Sequence, residues 1–363
     1  MPPGSSTVVV SHACVLAANR AVYGELAASG APVELVVPAR WRNEYRPDGF
    51  APDPPGSQAV HLHAVGVLGA GRPQRHAYAT RASRLLARLE AGILLIEEEP
   101  FSLAALQWSR AARRAGVPYG VQVAETLELV QPAPVARWRR SVLRHAAFVV
   151  ARSPAAAGLA RRWGASAEPD VIAHDVADVA PRATPAGPFT AAFVGRLVEE
   201  KGLGDLLEAV ASLDDVRLVV AGAGPLDDAV RRAGPRVEHV GPLAHDRVGE
   251  VYARAHVTCV PSRATRGWVE QFGRVVVESL VRGVPVVAAS TGELPWVLSV
   301  TGGGVLVPER DPRALAGAIA AMRDDPDAGR SLGLAGRDGV RASFTTPVVA
   351  AALAGVLARV RAR

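Results

Sequence analysis

Short, uninterrupted apolar runs alternate with amphipathic stretches along both halves of the chain. In the first half, TVVV (7–10), PVELVVP (32–38), QAVHLH (58–63), GILLI (92–96), PYGVQV (118–123) and AAFVV (146–150) predict strands. Helical patterns fall between them near 20–28 and over 74–90, 101–115 and 154–163. Strands that are apolar throughout are buried on both faces, and amphipathic helices between them supply the cover. A parallel, doubly wound α/β domain is therefore expected. The alternation restarts at TAAFV (190–194) and continues through VRLVVA (216–221), VEHVG (237–241), HVTCV (256–260), VPVVAAS (284–290) and GGGVLV (302–307). Helices are expected within 195–213, after His245-Asp246, over 274–281, near 312–324 and 328–342, and over 346–363. DVADVAPRATPAGPF (175–189), rich in Pro and Ala without a period, reads as a linker. The fold class predicted is α/β: two Rossmann-like domains with parallel sheets, over 1–180 and 186–345.

In such sheets ligands bind beyond the carboxyl ends of the strands, so the residues just past each strand carry the chemistry. In the first half these are Ser11-His12, then Asn19-Arg20, the acidic triplet Glu97-Glu98-Glu99, and Glu125-Thr126. Three adjacent carboxylates repel, so at least one must point to a partner. Glu99 and Glu125 are candidates to orient an acceptor hydroxyl, and His12 is either a structural hydrogen-bonder or a catalytic group. The plain alternative for each is a capping loop residue.

In the second half, Gly195 permits a tight turn after the first strand, and Arg196 and Lys201 flank the loop that follows. Gly202 then opens a helix whose N-terminus favours anions. Arg as a fork and Lys as a point charge suit a diphosphate. Gly222, in the Gly-x-Gly-Pro turn after VRLVVA, is a weaker signal of the same kind. Further on, Glu270 on a loop and Glu278 on a helix bracket Phe272-Gly273, where a glycine before a helix lets backbone N–H groups approach a ligand.

Composition narrows the class. The 363 residues suit two domains. Of 41 basic residues only Lys201 is a lysine, which gives its position weight. The net charge of +6 comes without a basic cluster interleaved with aromatics, so no nucleic-acid partner is expected. Cys14 and Cys259 flank apolar strands and read as small core residues. No apolar run reaches the length of a membrane span, and the start lacks a signal-peptide pattern. A cytoplasmic protein is expected. The basic helix at 132–145, with Trp138, reads either as a solvated helix or as a peripheral contact with the inner face of a membrane.

The order GRL-x-x-E-K-G, GxGP, VG-x-L, PS, E-x-FG-x-x-x-x-E, G-x-P-V and GEL-P over 190–345 resembles family 4 of the retaining glycosyltransferases, or glycosyltransferase group 1. The likeness is weaker but consistent over 1–180. It implies the GT-B fold, two Rossmann-like domains facing a cleft, with the terminal helix 346–363 crossing back to the first domain. It implies that Arg196 and Lys201 hold the diphosphate of a nucleotide-sugar donor and Glu278 the ribose hydroxyls. Glu270 would bind the transferred sugar, with Gln271, Phe272 and Gly273 around it, and Val240 would line the base pocket. The donor diphosphate would help deprotonate the acceptor on the same face, giving retention. No Asp-x-Asp stands at a strand end, so no metal and no other cofactor is expected for this chemistry.

Two departures bear on the first domain. Ala17-Ala18-Asn19-Arg20 stands where similar proteins carry a Gly-Gly loop, and Ala124-Glu125 where many carry a His. A non-catalytic nucleotide-sugar-binding protein of the same fold is the alternative. A pyridoxal-phosphate phosphorylase of similar architecture needs its own Schiff-base lysine, and the single lysine already belongs to the diphosphate motif.

Overall fold

The computed structural model describes residues 6–30, 32–43, 46–55 and 59–363. The opening residues 1–5 and Gln58, the first residue of the predicted strand QAVHLH, lie outside them. The chain divides into two compact units: one runs to Asp175 and also takes in Thr346–Arg363, and the other is Val176–Thr345.

The first unit is built on a seven-stranded parallel sheet. Its strands are β1 (Ser6–Val10), β2 (Val33–Pro38), β3 (Val60–Val65), β4 (Ala91–Ile96), β5 (Tyr119–Val123), β6 (Phe148–Ala151) and β7 (Pro169–Val171). They lie in the order β7-β6-β5-β4-β1-β2-β3. Central β1 pairs with β2 and β4, placing Val10 beside Val36 and Ile96. Val8, Val9 and Val10 are all fully buried, because helices cover both faces. One face packs on Leu86, Trp108 and Leu143. The other packs on Tyr23 and Leu26 and on Val349, Leu353 and Leu357 of the last helix, Thr346–Arg361.

The helix expected over 74–90 is corrected to Ala82–Arg88. Upstream of it, Ala77–Tyr78 forms an antiparallel ribbon with Val67–Leu68. The Gln107 side chain closes on that ribbon: its Oε1 accepts the Tyr78 N–H at 2.9 Å and its Nε2 donates to the Tyr78 carbonyl at 2.7 Å. Tertiary hydrogen bonds thus capture residues whose spacing alone suits a helix. A second ribbon, Trp41–Asn43 with Arg46–Phe50, and the edge strand β7 are too short and too rich in Pro, Asp and Gly to show a strand pattern.

The second unit carries a six-stranded parallel sheet. Its strands are β8 (Phe189–Val194), β9 (Val216–Ala221), β10 (Val237–Gly241), β11 (Val257–Val260), β12 (Val286–Ala289) and β13 (Gly304–Val307). The order is β10-β9-β8-β11-β12-β13, so the direction of winding switches between β8 and β11. Crevices at such switch points are where ligands of open α/β sheets bind. All the second-half candidates lie at the carboxyl ends of these strands or on the loops and helices that follow.

Candidate active site

Three close backbone approaches and one glycine packed against a side chain shape the carboxyl edge of the second sheet. A Cβ on Gly222 would lie 1.8 Å from the Gly195 carbonyl, so the exits of β8 and β9 touch only because that position is glycine. A Cβ on Gly202 would lie 1.8 Å from the Pro261 carbonyl, which seats the lysine loop on the exit of β11. A Cβ on Gly292 would lie 2.1 Å from the Glu270 carbonyl, which also accepts the Glu293 N–H at 2.9 Å. Gly273, at φ +76°, caps the helix Arg274–Leu280, and a Cβ there would meet Leu294 at 2.4 Å.

These approaches bring distant side chains together. Lys201 Nζ donates to Glu270 Oε2 at 2.6 Å, and the Ser262 hydroxyl donates to the same oxygen at 3.0 Å. The ammonium also lies 4.9 Å from the centre of the Trp268 ring, within cation–π reach. Glu278 sits one turn into its helix, where Arg274 Nε donates to Oε1 at 3.1 Å and the Tyr252 hydroxyl to Oε2 at 3.4 Å. Arg196 is more exposed and reaches Glu200 at only 3.8 Å. A surface pair of that length adds little to stability and leaves the guanidinium available to an anion. The Arg263 guanidinium grips Asp205, its Nε donating at 2.6 Å, and so locks the β11 exit to the helix Leu203–Ala211.

Among the other candidates, Gln271 is exposed on the loop and Val240 packs half-buried beside Tyr252 and Val251. The Phe272 ring is buried, in an aromatic cluster with Trp296 at 6.2 Å and Phe344 at 5.6 Å. The pattern pointed to the segments that hold Ser262 and Gly292, but Trp268, Tyr252 and the Arg263–Asp205 pair carried no signal.

At the corresponding edge of the first unit, each acid of the triplet has a different partner. Glu97 accepts from Arg152 Nη2 at 2.6 Å and from the Cys14 thiol at 3.4 Å. Glu98, buried, accepts the His12 backbone N–H at 2.8 Å and contacts His12 Nδ1 at 2.6 Å. Burial would raise the Glu98 carboxyl, but the His12 ring outweighs it and holds it at about 2. Burial likewise works against a charged His12, and Glu98 outweighs it, so that ring is raised above its ordinary value. Glu99 Oε1 accepts the N–H groups of Ala124 at 2.8 Å and Glu125 at 3.0 Å. Its burial pushes the carboxyl up to about 8 against those bonds, with the charge of Glu125 adding.

Glu125 turns back on its own loop, accepting from Thr126 and Leu127, both at 2.9 Å. Asn19 Nδ2 donates to the Ala13 carbonyl at 2.9 Å. Arg20 is buried and donates to four carbonyls, those of Cys14, Val15, Asp53 and Pro54. The structure makes Arg20 a brace for the loop after β1, which corrects its candidacy as a group facing a ligand.

Family models match both units: "Glycosyl transferase 4-like domain" over residues 17–174 and "Glycosyl transferases group 1" over 188–325. The chain belongs to the family 4, or group 1, glycosyltransferases. Among curated proteins it is 33% identical over 181 residues to a GDP-mannose-dependent alpha-(1-6)-phosphatidylinositol monomannoside mannosyltransferase of Mycobacterium tuberculosis; that match covers 46% of this chain and 47% of the relative. It is 39% identical over 137 residues to a D-inositol 3-phosphate glycosyltransferase of Mycolicibacterium gilvum, covering 34% of this chain and 30% of the relative. The chain thus spans about half the length, or less, of the curated relatives it matches.

Solved structures extend the likeness to the whole fold. Sucrose-phosphate synthase from Thermosynechococcus elongatus superposes with a TM-score of 0.76 at 20% identity, over 98% of this chain and 99% of that one. Anabaena HepE in complex with UDP-glucose gives 0.71 at 16% identity, over 98% and 99%. The fold is that of the GT-B glycosyltransferases.

Proposed function

We propose that this protein is a retaining glycosyltransferase, moving a sugar from a nucleoside-diphosphate sugar to an acceptor hydroxyl. The observation that carries the reading is the Lys201–Glu270–Ser262 contact, assembled by Gly202 against Pro261 at the switch point of a parallel sheet. Family membership and a structural neighbour bound to UDP-glucose support the donor class.

In this reading Arg196 and Lys201 bear the donor diphosphate. Charge accumulates on the leaving phosphate as the glycosidic bond breaks, and fixed cations there lower the barrier. These two side chains supply that charge without a divalent ion. Glu278 accepts from the ribose hydroxyls, and Val240 borders the base. Both described contacts of Glu270 fall on Oε2, which leaves Oε1 to meet sugar hydroxyls. The leaving phosphate takes the proton of the acceptor hydroxyl as that oxygen attacks from the same face, so the anomeric configuration is kept. The acceptor is a hydroxyl of a glycan, a lipid-linked sugar or a small metabolite.

The protein is proposed to work in the cytoplasm, with the helix Ala133–Arg144 touching the inner membrane face. No helix among the described residues is long and apolar enough to cross a membrane. Within that helix Trp138 is half-buried, and Arg139 stacks on Trp163 at 4.2 Å, which leaves Arg137, Arg140 and Arg144 for anionic lipid. Co-sedimentation with anionic vesicles tests the contact.

The test of the donor reading is a thermal-shift panel of UDP-, GDP-, ADP- and dTDP-sugars, since a ligand that binds only the folded chain raises its melting temperature. One nucleotide class should stabilise the protein and then be consumed, by transfer or slow hydrolysis. Binding with no turnover of any donor would point to a binding protein of the same fold.

A further inference from the structure

We propose that His12, His76 and Glu98 form a binding site for a divalent transition-metal ion of the zinc class. The three residues come from separate parts of the first unit: the exit of β1, the turn before Ala77–Tyr78, and the exit of β4. Their ligand atoms all lie within 4.8 Å of one another. None of them belongs to the residues assigned to the donor, so the site stands or falls apart from that reading.

The decisive group is His76, which is fully buried. Its Nδ1 lies 2.9 Å from the Pro73 carbonyl. A carbonyl only accepts, so Nδ1 carries the hydrogen and Nε2 of the neutral ring presents a lone pair. Nε2 lies 3.4 Å from Glu98 Oε1 but outside hydrogen-bonding geometry, and it has no hydrogen-bond partner among the described residues. A buried lone pair so close to a carboxylate is unfavourable with nothing between them, and protonating Nε2 would bury an N–H left without a hydrogen bond. A cation between Nε2 and the carboxylate satisfies both. Donation of the other ring N–H to a backbone carbonyl is also how metal-binding histidines are commonly oriented.

The remaining geometry agrees. In a tetrahedral zinc site neighbouring ligand atoms lie about 3.3 Å apart, from metal–nitrogen distances of about 2.0–2.1 Å. The His76–Glu98 separation already has that value. The His12–Glu98 contact, at 2.6 Å, is shorter, so the ion must part the two groups. Ring packing fixes the imidazoles: Trp41 lies 5.0 Å from both His12 and His76, and Tyr78 lies 5.5 Å from His76. His12 keeps 24% of its side chain exposed, which gives the ion an entry and an open coordination position. Two imidazoles and a carboxylate suit zinc-class ions better than calcium or magnesium.

A surface trio serves as a control. His61 and His63 both contact Glu34, at 2.9 and 2.5 Å, but His61 is 62% exposed.

The experiment titrates the metal-free 363-residue chain with Co²⁺, following ligand-field bands in the visible and the stoichiometry by calorimetry. The proposal expects one Co²⁺ per chain. Glu98→Gln and His12→Ala should each raise the Kd at least about 100-fold, beyond the loss typical of an outer-shell partner. A double His61→Ala/His63→Ala variant should bind as the parent does. Circular dichroism checks the fold of each variant, and the partly exposed His12 supplies the decisive one if Glu98→Gln does not fold. The proposal is overturned if no ligand-field band develops, if the band survives His12→Ala, or if the His61/His63 variant abolishes it.

Discussion

The two units end their central strands in acid-rich loops, and they use those acids in opposite ways. In the second unit, Glu270 on its loop faces Lys201 and Ser262, and Glu278 on its helix faces Arg274 and Tyr252, on segments pressed together by glycines. Those partners are side chains at a partly open edge, and a ligand bearing phosphates and hydroxyls can take their place. In the first unit, Glu97, Glu98 and Glu99 are committed inward, to Arg152, to His12 and to the backbone of Ala124 and Glu125. Arg20 there is bonded to four carbonyls. One edge gathers its acids around lysine and arginine side chains; the other ties two of its acids to backbone N–H groups of its own loops. An acid past a parallel strand is therefore not yet a ligand-binding group, and its partner decides which it is.

The contrast can be broken most sharply at Lys201. Lys201→Ala is expected to lower turnover by about 10²–10³-fold, the loss typical of removing one preorganised charge-stabilising donor, with circular dichroism unchanged. Glu278→Ala should raise the donor KM more than it lowers kcat, because ribose contacts are the same in ground and transition states. A kcat loss at constant KM would move Glu278 into the reacting centre.

Next in size come changes to the frame. Gly222→Ala forces a Cβ onto the Gly195 carbonyl and should destabilise the second unit by about 3 kcal/mol or more in urea unfolding. Arg20→Ala leaves buried carbonyls unpaired and should cost about 1–3 kcal/mol, with donor affinity unchanged. Loss of donor affinity in Arg20→Ala would contradict its role as a brace. The smallest effect is expected at Glu200→Ala, within about 0.5 kcal/mol, since its pairing with Arg196 is long and exposed.

Much of the fold was legible because its strands are buried on both faces and read as apolar runs. Only one long helix, over 74–90, was misplaced, where Gln107 holds Tyr78 in a ribbon through contacts 29 residues apart that no local period encodes. The second-unit site was legible for a related reason. Glycines at 195, 202, 222 and 273 and a lone lysine are local signals of close approach and charge. The first-unit edge was not, because the fate of Glu98 depends on His76, which sits within the misplaced helix. Arg20 reads as an exposed cation until the chain folds its loop around the guanidinium. Phe272 lay in the right segment, but its ring turns inward to Trp296 and Phe344, a choice made by packing.

The most direct measurement is calorimetric binding of nucleotide sugars to the parent chain and to Lys201→Ala. The account predicts saturable binding of one nucleotide-sugar class to the parent, with affinity falling at least about 10-fold, 1.4 kcal/mol or more, in the variant. No binding of any nucleotide sugar, or equal affinity in parent and variant, would contradict it.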